Sequence, residues 1–208
     1  MSRKIVRLTL DHLDVLEAPC RSCLFWELDP VRRARVDDAA AEKDGWASEV
    51  LREWGSCGRV ALVDDVPVGH LFYAPEAFVP GAAGFPTAPV SPDAVLLTAA
   101  YVDPEHRGGG LGRMLVQAMA ADLIKRGGSG AVEAFGDTTG RSAGCVLPAD
   151  FLSSVGFKTH RAHPTTPRMR MDLRTSVRWR TEVDAAIERL VGALRPAPKS
   201  TRASRSAR

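Results

Sequence analysis

The chain has 208 residues, of which 45% are hydrophobic, and a formal net charge of +3 at pH 7, as expected of one globular domain with extensions. It contains no run of about 18 apolar residues, which excludes a membrane-spanning helix, and its N-terminus lacks a signal-peptide core, so we expect a cytoplasmic protein. Residues 195–208 carry five basic residues and no acid, so the rest of the chain has a formal net charge of −2. This charge argues against nucleic-acid binding by residues 1–194.

Hydrophobic periodicity predicts a series of strands and helices along the chain. Before residue 95 it predicts a strand at 4–10, a helix from Asp29-Pro30, a helix near 44–54, strands at 59–63 and 68–74, and a long loop at 75–92 that covers the site or a partner. After residue 126 it predicts a strand at 130–135, a polar loop at 137–144, a helix at 148–155, and strands at 157–160 and 168–173.

Cys20 and Cys23 form a Cys-x-x-Cys pair early in the chain. A structural zinc site needs four ligands, and Cys57 and Cys145 are single and distant in sequence, so we expect no bound metal. Buried or half-buried thiols are the favoured interpretation, with a zinc site and a redox-active pair as the alternatives.

The central stretch is a strand at 95–102, a glycine-rich turn at 107–112 and a helix from near Gly110 to Arg126. The first amides of a helix have no internal acceptor, and glycines allow a close approach of the backbone, so this turn can hold phosphate. The plain alternative is a glycine-rich turn before an ordinary helix. A Walker loop is excluded because Arg113 and Met114 follow Gly112, and a dinucleotide fingerprint lacks its third glycine.

The spacing Val102-x-Pro104-x-x-Arg107-x-x-Gly110-x-Gly112 resembles the acyl-CoA signature of the GNAT superfamily of N-acetyltransferases. Residues 151–157 resemble the later helix of that family, which ends in Gly-Phe. The two motifs cover roughly residues 60–173, so the ends of the chain lie outside the resemblance.

This resemblance implies an α+β fold with a central mixed, mostly antiparallel sheet, splayed between two strands and flanked by helices, to which this chain adds a C-terminal helix. It implies acetyl-CoA as the acyl donor, with the loop amides on the pyrophosphate and the preceding strand paired with the pantetheine arm. The positions that it assigns to cofactor binding are Ala100, Tyr101, Val102, Arg107, Gly108, Gly109, Gly110, Leu111, Gly112 and Arg113.

The catalytic groups are less clear. Family members often use a Tyr as the acid four residues before the late Gly, and here that position is Leu152. Glu133 is the best-placed carboxylate for a base, and a surface or structural role is its alternative. Tyr101 points either toward the acyl group or into the core.

Three histidines are further candidates: His106, which we expect to assist anion binding, and the weaker His70 and His163. By the same resemblance, Trp26 and Glu27 are candidate wall residues on the acceptor side.

We therefore predict an N-acetyltransferase that acetylates a primary amine of a small molecule or of a peptide or protein. The alternative is a non-catalytic acyl-CoA-binding or interaction module on the same fold, which the Leu at the acid position favours.

Residues 1–173 should form the acetyltransferase domain, 174–194 an amphipathic helix and 195–208 a disordered basic tail. The helix carries an apolar stripe, which must be buried either on its own domain or in a homodimer. The tail either keeps the protein in solution or contacts an anionic partner weakly.

Overall fold

The computed structural model describes residues 2–16, 20–140 and 145–173. The predicted amphipathic helix and basic tail at 174–208 lie outside the described residues, and so does the dimer interface that they would form. Among the helices that the structure describes, none is long and apolar enough to cross a membrane.

A single sheet of eight strands organises the described residues, in the order β1-β2-β3-β4-β5-β8-β7, with β6 paired to β5. The strands are β1 Arg3–Arg7, β2 Gly58–Val63, β3 Val66–Ala74, β4 Ala94–Val102, β5 Ala131–Asp137, β6 Leu147–Pro148, β7 Lys158–Arg161 and β8 Arg168–Asp172. Only β4–β5 and β5–β6 are parallel, and the other pairs are antiparallel. This mixed, mostly antiparallel sheet is the predicted fold class.

Within the described residues, five α-helices accompany the sheet: α1 Leu10–Asp14, α2 Pro30–Arg33, α3 Ala39–Glu53, α4 Leu111–Arg126 and α5 Ala149–Ser154. The loop that follows β3 contains two short 3₁₀ segments, Glu76–Phe78 and Pro80–Gly84.

The end of the first strand and the start of α3 differ from the sequence prediction because polar side chains cap the helices there. The first strand ends at Arg7 rather than at residue 10, since the amide of Thr9 donates to Nδ1 of His12 (3.2 Å) and α1 starts there. α3 starts at Ala39 instead of near residue 44, because the carboxylate of Asp38 accepts hydrogen bonds from the first turn.

The core forms two layers, one on each face of the sheet. α4 lies on one face, where Leu115, Met119 and Leu123 are at most 1% exposed and pack against strand residues such as Leu71 and Val132. Each such side chain stabilises the fold by about 1.5–3 kcal/mol, and together they fix the position of α4 and of the loop that precedes it. The other face is covered by α1, α3, the segment between α1 and α2, and the loop after β3. There Trp26 and Trp46 pack in one cluster with the strand residues Phe72 and Phe135.

The sheet opens in its middle. β4 pairs with β3 as far as Val102, but with β5 only through Ala94–Ala131, Val95–Val132 and Leu96–Glu133. In the part of the chain that the structure describes, no strand pairs with the β5-facing edge of β4 after Leu96. The predicted splay is thus confirmed, and it leaves the β5-facing edge of residues 97–102 without a partner strand beside the glycine-rich turn.

β4 also carries a bulge next to this opening. Leu97 and Ala99 face the consecutive residues Tyr73 and Phe72, so Thr98 is the extra residue. The Thr98 hydroxyl donates to the Phe72 carbonyl at 3.1 Å and holds the bulge in place.

Candidate functional site

The glycine-rich turn has the shape that anion binding needs. Gly108 and Gly110 have φ of 74° and 82°, a region in which a residue with a Cβ is strained. A Cβ at either position would meet no atom within 4 Å, so the space over the backbone is open. Gly110 is the N-cap of α4, and Met114 makes the first helical bond to its carbonyl at 3.1 Å. The amides of residues 111–113 therefore point toward this space without helical acceptors.

Contacts from three sides hold the loop in this shape. Arg3 donates to the Gly109 carbonyl at 2.7 Å, and Arg107 Nε donates to the Val102 carbonyl at 2.7 Å. Behind the loop, a Cβ on Gly112 would lie 3.0 Å from the Phe151 ring, so a larger residue there would have to displace this ring between α4 and α5. The second sequence motif thus packs directly against the first.

The loop and the free edge of β4 form one continuous surface. Ala100 and Val102 pack toward α4, whereas Tyr101 faces the opposite side of the sheet. Arg113 is anchored by a 2.7 Å bond to the Ser154 carbonyl, and its charge stays at the exposed first turn of α4. All ten residues predicted to bind the cofactor lie on this strand end, loop and helix start.

Tyr101 is half-buried and has contacts with a histidine and an arginine. Its ring stacks on the His70 imidazole with a centroid distance of 5.6 Å and an interplanar angle of 28°. The guanidinium carbon of Arg107 lies 5.8 Å from the centroid of the Tyr101 ring. The side chain is therefore half-buried, and its orientation toward the acyl group stays a prediction.

His70 is the buried titratable group nearest to Tyr101. The residue is 2% exposed, and Nε2 has no hydrogen-bond partner among the described residues. Burial, with a smaller contribution from the positive charge of Lys43, lowers the pKa of His70 to about 4. The imidazole is therefore neutral at pH 7, and one of its ring nitrogens is buried without a hydrogen-bond partner among the described residues.

A small cavity lies on the same face of the sheet, opposite α4. It is lined by Cys20, Cys23, Trp26, Glu27, Lys43, Phe72, Ala99 and Cys145. Ala99 belongs to β4 and directly follows the bulge, so the cavity reaches the strand that borders the splay. Both residues that the sequence placed on the acceptor side, Trp26 and Glu27, are in its wall.

A buried ion pair between Glu27 and Lys43 crosses this cavity wall, with side chains 2% and 4% exposed. Lys43 Nζ also donates to the Cys23 carbonyl at 3.2 Å and lies 4.4 Å from the centroid of the Phe72 ring. Sequence reasoning missed Lys43, although its spacing of three and seven residues to the buried Trp46 and Val50 places it on the apolar face of α3.

Glu133 occupies the last paired position before β4 and β5 separate, and it is 0% exposed. Its carboxylate lies 3.1 Å from Arg170 and 3.3 Å from Arg168, and it accepts a hydrogen bond from the Ser91 amide at 3.1 Å. The role of Glu133 as a base stays a prediction. These contacts favour the structural alternative, because both carboxylate oxygens already have partners.

The remaining candidates are placed as follows. Leu152 is 0% exposed in the core beside α4, so the position of the family's acid is an apolar contact. His106 lies next to the glycine-rich turn, and its Nδ1 is buried without a partner among the described residues. His163 Nδ1 accepts from the amide of Thr166 at 3.1 Å and so supports a turn. The described residues contain no group of three or more His, Cys, Asp or Glu that could hold a metal ion.

Comparison with known proteins gives a consistent result. Residues 21–143 match the model of the Acetyltransferase (GNAT) family. A search of curated proteins found no match. The fold is similar to that of PaiA N-acetyltransferase from Thermoplasma acidophilum in complex with coenzyme A, at 16% identity and a TM-score of 0.53 over 83% of this chain and 99% of the other.

Two further solved structures share the fold. One is YncA, a putative acetyltransferase from Salmonella typhimurium with acetyl-CoA, at 16% identity and a TM-score of 0.54 over 83% of this chain and 95% of the other. The other is aminoglycoside acetyltransferase AAC(6')-Ib in complex with coenzyme A, at 15% identity and a TM-score of 0.56 over 86% and 99%. At these identities the similarity shows the fold alone.

The contacts of Glu133 generate a prediction about stability. Glu133→Gln should lower the free energy of unfolding by about 3 kcal/mol, because it leaves Arg168 and part of Arg170 buried beside a neutral amide. Urea denaturation measures this change. The control is Asp172→Asn, whose carboxylate is 58% exposed and bonds the same Arg170, and which should cost less than about 1 kcal/mol. A Glu133→Gln protein that kept its stability but lost its turnover would instead assign Glu133 to catalysis.

Proposed function

Since the chain belongs to the GNAT acetyltransferase family, we propose that it transfers the acetyl group of acetyl-CoA to a primary amine of a small molecule or of a peptide or protein. The observation that carries this proposal is the free edge of β4 running directly into the open glycine-rich turn. Neighbouring folds that hold CoA or acetyl-CoA support the choice of donor.

The donor would lie along this surface. The amides of the turn and of the first turn of α4 donate to its phosphates, and Arg107 and Arg113 add positive charge. Backbone groups of residues 97–102, which lack a partner strand, hydrogen-bond its pantetheine amides. An N–H group at this edge can also polarise the thioester carbonyl.

The acceptor amine would approach from the face opposite α4, through the cavity beside Ala99. Trp26 and Phe72 provide apolar walls. Glu27 provides negative charge for a cationic amine, but its ion pair with Lys43 fixes the carboxylate in place, which makes it a positioning group rather than a base.

His70 fits the role of proton acceptor better than Glu133 does. Its Nε2 has no partner among the described residues, and the ring is neutral at pH 7, as a base must be. Tyr101 stacks on the imidazole and keeps it oriented beside β4. With Leu152 in the core, the thiolate of CoA leaves either unprotonated or with a proton from water.

Release of thiol tests the function directly. Mixing the full chain with acetyl-CoA and a library of amines should release free CoA thiol only in wells that contain an acceptor, with a matching gain of one acetyl group on the amine. If no amine of a broad library releases thiol above the amine-free background, the non-catalytic module is favoured.

The glycine-rich turn generates a prediction about cofactor affinity. Gly110→Val should raise the Kd for CoA at least about tenfold, because Val is strained at this φ and fills the space over the amides. Calorimetry measures the Kd. Gly128→Val is the matched control, since Gly128 has the same φ of 82° and similarly open surroundings at the far end of α4. Equal loss of affinity in both variants would show a general effect on folding rather than a phosphate site.

The imidazole of His70 generates a prediction about turnover. His70→Gln should lower kcat about a hundredfold and leave the KM for acetyl-CoA unchanged, because the variant loses the proton acceptor and keeps the phosphate loop. Since the pKa is about 4, kcat of the wild type should show no fall near pH 6.5 from this group. His160→Gln, which changes a half-exposed imidazole, is the control. A His70→Gln enzyme within twofold of wild type would place the base elsewhere.

A further inference from the structure

Three half-buried thiols have no role in the proposed transfer of an acetyl group. Cys20, Cys23 and Cys145 all line the acceptor-side cavity, whereas Cys57 is 0% exposed. The sulfurs of Cys23 and Cys145 lie 3.1 Å apart although 122 positions separate them in the chain. The sequence suggested a pair between Cys20 and Cys23, but the structure brings Cys23 to a distant thiol.

We propose that Cys23 and Cys145 form an oxidative modification site, at which a low-molecular-weight disulfide such as oxidised glutathione converts the two thiols into a reversible disulfide bond.

Backbone contacts hold the two cysteines in place. The Cys145 carbonyl accepts a hydrogen bond from Trp26 Nε1 at 2.7 Å, and the Cys23 carbonyl accepts one from Lys43 at 3.2 Å. Both donors belong to side chains that are themselves packed in the cavity wall. The sulfurs need to approach by only about 1 Å to reach bonding distance, so closure requires a small local movement.

The surroundings make Cys23 the attacking thiol. Its hydrogen bond with Cys145 and, to a lesser extent, a backbone hydrogen bond at Phe25 lower the pKa of Cys23 to about 6, so that a thiolate is present at pH 7. Burial raises the pKa of Cys20, which keeps this neighbour protonated. Cys145, with its pKa raised mainly by the same hydrogen bond, is the resolving thiol.

The reaction balances in two exchange steps. The Cys23 thiolate attacks one sulfur of oxidised glutathione, forms a mixed disulfide and releases one glutathione thiolate. Cys145 then loses its proton and attacks the Cys23 sulfur, which forms the Cys23–Cys145 bond and releases the second glutathione. The protein gives up two electrons, and the two thiol protons end on the two reduced glutathiones.

The bond would tie the segment that carries Trp26 and Glu27 to the residues that enter β6. Where the cavity admits the acceptor, which rests on the proposed function, the oxidised protein should show a raised KM for the acceptor and an unchanged affinity for CoA. Formation of the bond itself does not depend on that function.

The test uses the full chain, reduced and then incubated with oxidised glutathione. Free thiols counted in denaturant should fall from the four of the sequence to two per chain, and dithiothreitol should restore all four. Peptide mapping without reduction should find the Cys23–Cys145 link. In the Cys145→Ser variant the reaction should stop at the mixed disulfide between glutathione and Cys23. The control variant Cys20→Ser should still form the Cys23–Cys145 link.

Three results would overturn the proposal: four free thiols after incubation, a stable mixed disulfide on the wild-type protein, or a link between Cys20 and Cys23. If the link forms but the KM for the acceptor does not change, the proposal of an oxidative modification site is supported. That result would instead contradict the proposed binding of the acceptor at the cavity.

Discussion

The early end of the pairing between β4 and β5 is the constraint on which the rest of the structure depends. Backbone groups that lose a partner strand must be satisfied by solvent or by a ligand, because burying them unpaired is costly. Here the pairing stops at Leu96–Glu133, and the chain continues from the unpaired edge into a loop with free amides. An elongated molecule with amides along its length and phosphates at its end can hydrogen-bond the unpaired edge of β4 and the free amides of the loop at the same time.

Neighbouring elements keep the two strands apart. β5 is held on its far side by β8, and the buried Glu133 ties β5 to Arg168 and Arg170 at the point of separation. On the other side of the opening, the Thr98 bulge holds β4 against β3. The splay is therefore part of the folded sheet and does not need a ligand to open it.

The donor surface was predictable from sequence because its parts are consecutive. A strand, a turn that requires glycine and a helix with an apolar stripe each leave a local pattern. Gly110 is needed for a local reason, its positive φ at the start of α4, whereas the contact of Gly112 with Phe151 is tertiary. The starts of α1 and α3 were missed because single capping side chains, Thr9 with His12 and Asp38, decide them.

The acceptor side could be predicted only in part, because its residues come together from distant segments. Lys43 lies on α3, Phe72 on β3 and Cys145 before β6, and nothing in the local sequence indicates that they meet near Ala99. Glu133 looked like a base because its partners, Arg168 and Arg170, come from a strand that is distant in sequence. Burial and charge pairing depend on tertiary structure, so they distinguish a structural carboxylate from a catalytic one where the sequence does not.

Amide hydrogen exchange with and without saturating CoA tests the central claim most directly. Peptides that cover residues 97–102 and 107–113 should both exchange more slowly when CoA is bound, while β2, which is paired on both sides, stays unchanged. Protection in the glycine-rich turn without any in residues 97–102 would contradict the account, because the free edge of β4 would then not be the surface that receives the donor.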